Sequence, residues 1–330
     1  MSDSKPSVLI TGANGFVGSH LCRRFSGEGF DVVAGIRRTA DMSLIRDLPV
    51  AIRYGDVTDS SSLPAMVSEV DYIIHNAGVV KAKRPALFFE VNEAGTANLF
   101  EAILQNNPSV RRVVLVSSVA VAGPSEKGRP VVESDPPNPK TTYGRSKAAG
   151  ERIALSYADR LSVVAVRPPA VYGPGDKEMF AFFRSVYMRI KPLIGNLSRR
   201  AQVVHADDLS AGIFAAATRE LESGSVYFTA ENRSYTIKEM SNILQQACGR
   251  YALPAVIPAP LFKLIARASE TAFKMVGATP MLTREKSDEL LASWEVSTDR
   301  AREELGFDSK IPFPQGAKET YDWYIREGWL

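Results

Sequence analysis

Cysteine and histidine are scarce. The 330 residues hold two cysteines, Cys22 and Cys248, and three histidines, His20, His75 and His205. Two cysteines without ligand spacing build neither a disulfide framework nor a metal site. They are expected to be reduced thiols in a cytoplasmic setting, and the histidines to be structural. Charge of one sign is also lacking. Lys plus Arg is 40, Asp plus Glu is 37, and the net charge is +3, a balance that argues against a nucleic-acid partner. No run of 18 apolar residues occurs, so no membrane partner is expected. The polar opening "MSDSKPS" gives no sign of a secretory leader. Fixed-period repeats and low-complexity tracts are absent.

What is present is an alternation. Short β-branched runs at 7–11, 31–36, 51–56, 71–77, 112–118 and 161–168 are separated by helical patterns, including 86–105 and 143–157. Apolar strands divided by helices predict an α/β fold with a doubly wound parallel (Rossmann) sheet, covered on both faces. After Pro168 the rhythm changes. "RPPAVYGPGD" is turn-rich, and helical patterns follow at 177–190, 207–220, 236–248, 260–276, 283–292 and 313–327. The expected organisation is a dinucleotide-binding domain over 1–172, with 203–232 returning to it and the strand "GSVYFTA" (224–230) joining its sheet. A smaller, mainly helical substrate-binding region takes up 173–330.

"TGANGFVG" (11–18) ends the first strand and opens the first helix. Gly12, Gly15 and Gly18 leave room for a pyrophosphate to reach the helix N-terminus, where amides and macrodipole favour anionic oxygen. Candidate cofactor contacts here are Gly12, Asn14, Gly15, Phe16, Val17 and Gly18. Arg37 and Arg38 follow the second strand, where an NAD site usually carries a carboxylate. Two guanidiniums suit a 2′-phosphate, so NADP is expected, with NAD possible. Asp56 and Val57 end the third strand and are placed beside the adenine. Asn76, Ala77 and Gly78 end the fourth and let a cofactor lie close. Pro168 completes the set.

"TTYGRSK" places Tyr143 and Lys147 one helical turn apart. "YMRIK" gives Tyr187 and Lys191 the same spacing, so spacing alone decides nothing. Context favours the first pair, because Ser117–Ser118 close the preceding strand. A phenol titrates near pH ~10. A neighbouring ammonium lowers that value toward the range useful for proton transfer. A serine hydroxyl orients the substrate oxygen, and a nicotinamide carries hydride.

Taken together, "TGANGFVG", "NAG", "VVLVSS", "YGRSK", "RPPAVYGPG", "VNEAGTANLFEA" and "VVHADDLSAGI" resemble the extended short-chain dehydrogenase/reductase family, also described as the NAD(P)-dependent epimerase/dehydratase superfamily. The resemblance spans nearly the whole chain. It implies Tyr143 as acid/base, Lys147 as its activator and a ribose ligand, and Ser118, rather than Ser117, as the substrate-orienting hydroxyl. It also implies a homodimer through the helices at 86–105 and 143–157. Departures from the family patterns sort the reactions. Val119–Ala120 follow Ser118 where dehydratases carry Asp-Glu. Ala201–Gln202 precede Val203–Val204–His205 where nucleotide-sugar members carry Arg-Asp, and Arg200 is one residue out of place. The closest pattern is that of relatives of dihydroflavonol reductase and 3β-hydroxysteroid dehydrogenase. The expected function is an NADP(H)-dependent oxidoreductase interconverting a ketone and a secondary alcohol, acting on a small molecule. An NAD-dependent nucleotide-sugar 4-epimerase and a non-catalytic dinucleotide sensor or scaffold are the alternatives. Lys81 and Lys83 are candidates to meet an anionic substrate group, and the aromatic stripe at 179–188 a candidate apolar wall.

Overall fold

The computed structural model describes residues 5–126, 128–275 and 282–330. The first four residues of the polar opening, and Val276 at the end of an expected helix, lie outside them. The first six strands are β1 (Ser7–Thr11), β2 (Asp31–Ile36), β3 (Val50–Tyr54), β4 (Tyr72–His75), β5 (Arg112–Val116) and β6 (Val163–Arg167). Seven more follow: β7 (Ala170–Tyr172), β8 (Ile190–Ile194), β9 (Arg200–Ala201), β10 (Val203–His205), β11 (Ser225–Phe228), β12 (Tyr235–Thr236) and β13 (Leu253–Ile257).

Along β1, Val8 and Ile10 enter one buried cluster and Leu9 enters another. This is the period-2 alternation of a strand buried on both faces. Such strands need helices on each side, and the chain supplies them. One face is covered by α1 (Phe16–Gly27) and, later, α7 (Ala206–Thr218). The other is covered by α2 (Leu63–Val67), α4 (Gly95–Asn106) and α5 (Thr142–Leu155). The result is a seven-stranded parallel sheet in the order β3-β2-β1-β4-β5-β6-β11. The order reverses between β1 and β4. Val8 pairs with Val32 on one side and with Tyr72 on the other. Ligands of such sheets bind at this reversal, outside the carboxyl ends of the strands.

The helix expected over 86–105 is not continuous. A short α3 (Pro85–Phe89) runs into a π-helical turn, Glu90–Ala94, before α4 begins. A π turn inserts a residue into the helical repeat and re-aims side chains. Here it directs Asn92 inward, where it is buried.

The C-terminal part is less helical than its pattern suggests. Its helices are α6 (Phe180–Tyr187), α8 (Ile237–Cys248), α9 (Ala259–Met275), α10 (Arg284–Leu291), α11 (Asp299–Leu305) and α12 (Phe313–Arg326). Between them lie three two-stranded ladders, β7–β10, β9–β12 and β8–β13. The expected helix at 177–190 stops early because Arg189 takes a left-handed conformation (φ 65°) and Pro192 follows. Lys191 therefore lies on β8, and Tyr187 and Lys191 share no helical face. Tyr172, Phe183, Tyr235, Leu244, Phe313 and Tyr324 form the core of this part.

Candidate active site

The glycine turn is built for close approach. Gly12 has φ 66°, and a Cβ there would lie 3.0 Å from the Ala77 Cα. A Cβ on Gly18 would lie 2.2 Å from the Gly12 carbonyl oxygen, so only glycine lets α1 start against its own turn. Gly15 is the N-cap and offers no side-chain cap, and the first turn holds no acid. The first amides of α1 are left for an outside acceptor. This open cradle fits the pyrophosphate of a dinucleotide.

The flanking candidates are placed as follows. Asn14 Nδ2 donates to the Asp41 carbonyl (3.1 Å). The Phe16 ring meets His20 edge-on, with centroids 5.4 Å apart. Val17 packs against the core beneath the sheet. Arg37 and Arg38 are exposed beyond β2, and the Arg38 guanidinium lies 5.0 Å over the Tyr54 ring. That stacking orients a planar cation at the strand end. The Asp56 carboxylate accepts from the Thr58 amide (2.9 Å) and hydroxyl (2.8 Å). Val57 is buried beneath Gly95, where a Cβ would come within 2.7 Å of it. Pro168 is buried, and its carbonyl accepts from the Val119 amide (3.0 Å).

Thr11 ties β1 to the loop after β4. Its hydroxyl accepts from the amides of Asn76 (3.1 Å) and Ala77 (3.0 Å), and it lies 3.0 Å from His75 Nδ1. With its acceptor sites used, Thr11 donates to Nδ1. His75 Nε2 then donates to Thr96 (3.1 Å), whose hydroxyl donates to the Asn92 carbonyl (2.8 Å). Burial, with the nearby Lys147 charge, pushes the His75 pKa down to about 3, consistent with a neutral ring in this chain of bonds. Asn92 continues the chain. Its Oδ1 accepts from the Val79 amide (2.9 Å), and its Nδ2 donates to Ser146 Oγ (3.0 Å). Ser146 donates in turn to the Tyr143 carbonyl (2.8 Å). The polar path therefore runs from the glycine turn to α5. Sequence reasoning did not single out Thr11, Asn92, Thr96 or Ser146. An Asn within the helical pattern, between Val91 and Glu93, was the available signal.

Ser118 N-caps a short 3-10 turn, accepting from the Ala120 amide (3.1 Å). Tyr143 opens α5 and is half-buried, and the Phe88 ring stands edge-on to it at 6.2 Å. Gly78 is exposed, and a Cβ on it would lie 3.0 Å from Asn92 Oδ1 and 3.9 Å from Lys147 Nζ. The strand-end loop thus passes over the lysine. Lys147 donates to the Val116 carbonyl (2.7 Å) at the end of β5. Burial pulls its pKa down to about 8, with Glu151 opposing.

One expectation is corrected here. Desolvation pushes the Tyr143 phenol up to about 12, Ser118 hydrogen bonding pulls it down, and Glu289 and Glu178 push it up. Desolvation therefore governs this phenol, and the Lys147 Nζ is held by the Val116 carbonyl of β5. Ser117 belongs to a different cluster. It donates to Glu151 Oε2 (2.6 Å), and Glu151 is clamped by the buried Arg167 through Nε (2.9 Å).

Other candidates are committed to the scaffold. Lys81 pairs with Glu178 (2.8 Å), so its charge is already matched. Phe183 and Val186, from the aromatic stripe, are core residues. His20 bridges Asp207 (2.6 Å) and the Pro174 carbonyl (2.8 Å). His205 caps α7. Arg199 Nη1 reaches the carbonyls of Ile194 and Asn196. Arg200 Nε donates to Ser234 Oγ (2.8 Å) and lies 3.2 Å from Glu295. Gln202 donates to the Glu231 carbonyl (2.9 Å) and accepts from the Val296 amide (2.6 Å). These side chains fasten short strands together.

The chain matches the NAD dependent epimerase/dehydratase family over residues 8–228, and it belongs to that family. Along its full length it is 32% identical to a ceramide reductase of Caulobacter vibrioides, covering 100% of this chain and 98% of that one. It is 28% identical to the human 3 beta-hydroxysteroid dehydrogenase type 7 (98% of each chain). It is 25% identical to a UDP-glucose 4-epimerase of Vibrio cholerae (97% and 96%). Among solved structures, gox2253 superposes with a TM-score of 0.82 at 24% identity, covering 98% and 99% of the two chains. MoeE5 in complex with UDP-glucuronic acid and NAD superposes at 0.76 with 25% identity (97% and 99%).

Proposed function

We propose that this oxidoreductase is an NADP(H)-dependent reductase that interconverts an apolar ketone and its secondary alcohol. The observation that carries this reading is the grouping of Ser118, Tyr143 and Lys147 at the carboxyl end of β5, joined by hydrogen bonds through Asn92 and Thr11 to the glycine turn. The uncapped amides of α1 with Gly12, Gly15 and Gly18 would hold the pyrophosphate, and Arg37 with Arg38 would meet a 2′-phosphate. When bound, the nicotinamide supplies or accepts the hydride.

The chain's own groups handle the oxygen. A phenol held near pKa 12 remains a proton donor across the neutral range. Ser118 hydrogen-bonds the carbonyl oxygen and aims it at Tyr143. As the carbonyl carbon gains hydride, the oxygen takes the Tyr143 proton, and C=O becomes CH–OH. Lys147, one helical turn along α5, contributes a buried positive charge to the site that favours the phenolate left behind. It also excludes other partners from the Val116 carbonyl.

The apolar substrate follows from where the guanidiniums are spent. Arg199 and Arg200 bond to carbonyls, Ser234 and Glu295, and Gln202 is bonded at both ends of its amide. Both guanidiniums at this position are thus engaged by the scaffold, which argues against their gripping a diphosphate. Phe88 against Tyr143 offers an apolar neighbour instead. The full-length similarity to a ceramide reductase supports the same class.

The test is to mix purified protein and NADPH with a panel of apolar ketones, and separately with UDP-glucose. The expected result is ketone-dependent NADPH oxidation, and no UDP-galactose. Formation of UDP-galactose without added cofactor, by protein that carries its own NAD, would establish the epimerase instead. Hydride exchange with neither panel would return the sensor reading.

A further inference from the structure

Twelve large apolar side chains stand exposed among the described residues, and nine of them lie in one corner of the fold. That corner is built from β8, β13 and α9. Ile190 and Leu253 face each other across the β8–β13 ladder, and both are exposed. β13 runs into α9 after a single residue, Pro258. On α9, Phe262 and Ala266 turn inward, while Leu261, Leu264, Ile265, Ala268 and Ala272 are exposed. Their three- and four-residue spacing makes one outward apolar stripe. A concentration of this kind marks an interaction surface.

The charge of the corner says what the partner is. Residues 180–195 and 249–270 hold six cations, namely Arg184, Arg189, Lys191, Arg250, Lys263 and Arg267, against one acid, Glu270, with Lys263 paired to Asp288 of α10. Lys263 and Arg267 fall along one edge of the stripe, as helical spacing dictates. Arg250 lies 3.8 Å over the Tyr187 ring and is held at the surface. A second copy of the chain would bring six more cations to the same seam. An anionic lipid surface answers both the apolar stripe and its basic edge.

We propose that the β8–β13–α9 corner docks on an anionic bilayer surface, with the outer stripe of α9 in the acyl boundary and its cations at the phosphates. Among the described residues no helix is long and apolar enough to cross a membrane, and surface docking needs none. The corner adjoins the catalytic cleft. Lys263 pairs with Asp288 of α10 (2.7 Å), and Glu285 on the same helix accepts from the Thr142 amide (2.7 Å), next to Tyr143 at the start of α5. An amphipathic lipid ketone in the bilayer thus lies beside the cleft. That substrate class rests on the reductase reading, whereas the docking surface does not.

The test is co-sedimentation of the full chain with phosphatidylcholine vesicles containing about one third phosphatidylglycerol, beside pure phosphatidylcholine vesicles. Wild type is expected to bind the anionic vesicles and to release as salt rises. Leu264→Glu with Ile265→Glu is expected to cut binding by about tenfold or more, with thermal melting and turnover of a water-soluble ketone unchanged. Arg267→Glu serves as a second variant, weakening anionic but not neutral binding. Docking is overturned if wild type ignores anionic vesicles, or if all three proteins bind alike. It is also overturned if wild type self-associates without vesicles and the substitutions only dissociate it. Vesicle binding without ketone reduction would sink the reductase reading alone. Ketone reduction without vesicle binding would sink the docking alone.

Discussion

Lys147 Nζ donates to the Val116 carbonyl at 2.7 Å, so the helix that carries the tyrosine is pinned to the end of β5 by the lysine one turn later. The bond places a buried cation at the sheet edge where the strand order offers a crevice. The charge of Lys147 is set by burial, with Glu151 opposing.

That burial produces a pH dependence. The Lys147 pKa is pulled down to about 8, so the ammonium is present below that pH and lost above it. In the reducing direction the phenol, near 12, keeps its proton throughout. Turnover is therefore expected to fall as pH rises through about 8. Lys147→Arg retains its charge and should remove that limb from a kcat/KM profile. A variant profile identical to wild type would contradict the assignment.

The same group contributes to stability with a definite sign. Its folded pKa is below the ordinary lysine value of 10.5, so the unfolded chain binds more protons between about 8 and 10.5. Its contribution to stability therefore rises with pH through that window. Lys147→Met should flatten this part of a urea-unfolding series taken across pH, and an unchanged slope would show that another group is responsible.

Tyr143→Phe removes the phenol proposed to give its proton to the substrate oxygen. A loss of about 10²–10⁴-fold in turnover is expected, with NADPH affinity by fluorescence titration nearly unchanged. Near-normal turnover would move the acid/base role elsewhere.

Arg37→Ala combined with Arg38→Ala should weaken NADPH by about 10- to 100-fold, the size of one or two charge-assisted hydrogen bonds. NADH should hardly respond. Equal losses for both cofactors would remove the 2′-phosphate assignment.

Arg167→Ala leaves the Glu151 carboxylate and Ser117 in a buried site without their cation. Both members of the pair are nearly inaccessible, so a loss of about 3–5 kcal/mol is expected. Denaturant unfolding would show it, and Arg167→Ala with Glu151→Leu should recover part of the loss.

Much of this was legible in the residues. The alternation of apolar strands and helices wrote the parallel sheet, because a strand such as "VVLV" tolerates no wet face. The glycine spacing wrote the turn, because Gly12 and Gly18 occupy space that a Cβ would fill. Ser118, Tyr143 and Lys147 were singled out from type and order. The tertiary structure alone decided the rest. Spacing said nothing of what surrounds the phenol, so its rise through desolvation, and the anchoring of Lys147 on Val116, emerged only when α5 was packed on β5. The break at Glu90–Ala94 was equally hidden. It depends on Asn92 finding Val79 and Ser146, partners remote in the chain, and local helical propensity carries no record of them. Arg200 looked like an anion ligand one residue out of place until Ser234 and Glu295 stood beside it. Local pattern follows from the chemistry of neighbours along the chain. Charge, burial and partner choice at a site follow from neighbours across it, and these exist only after folding.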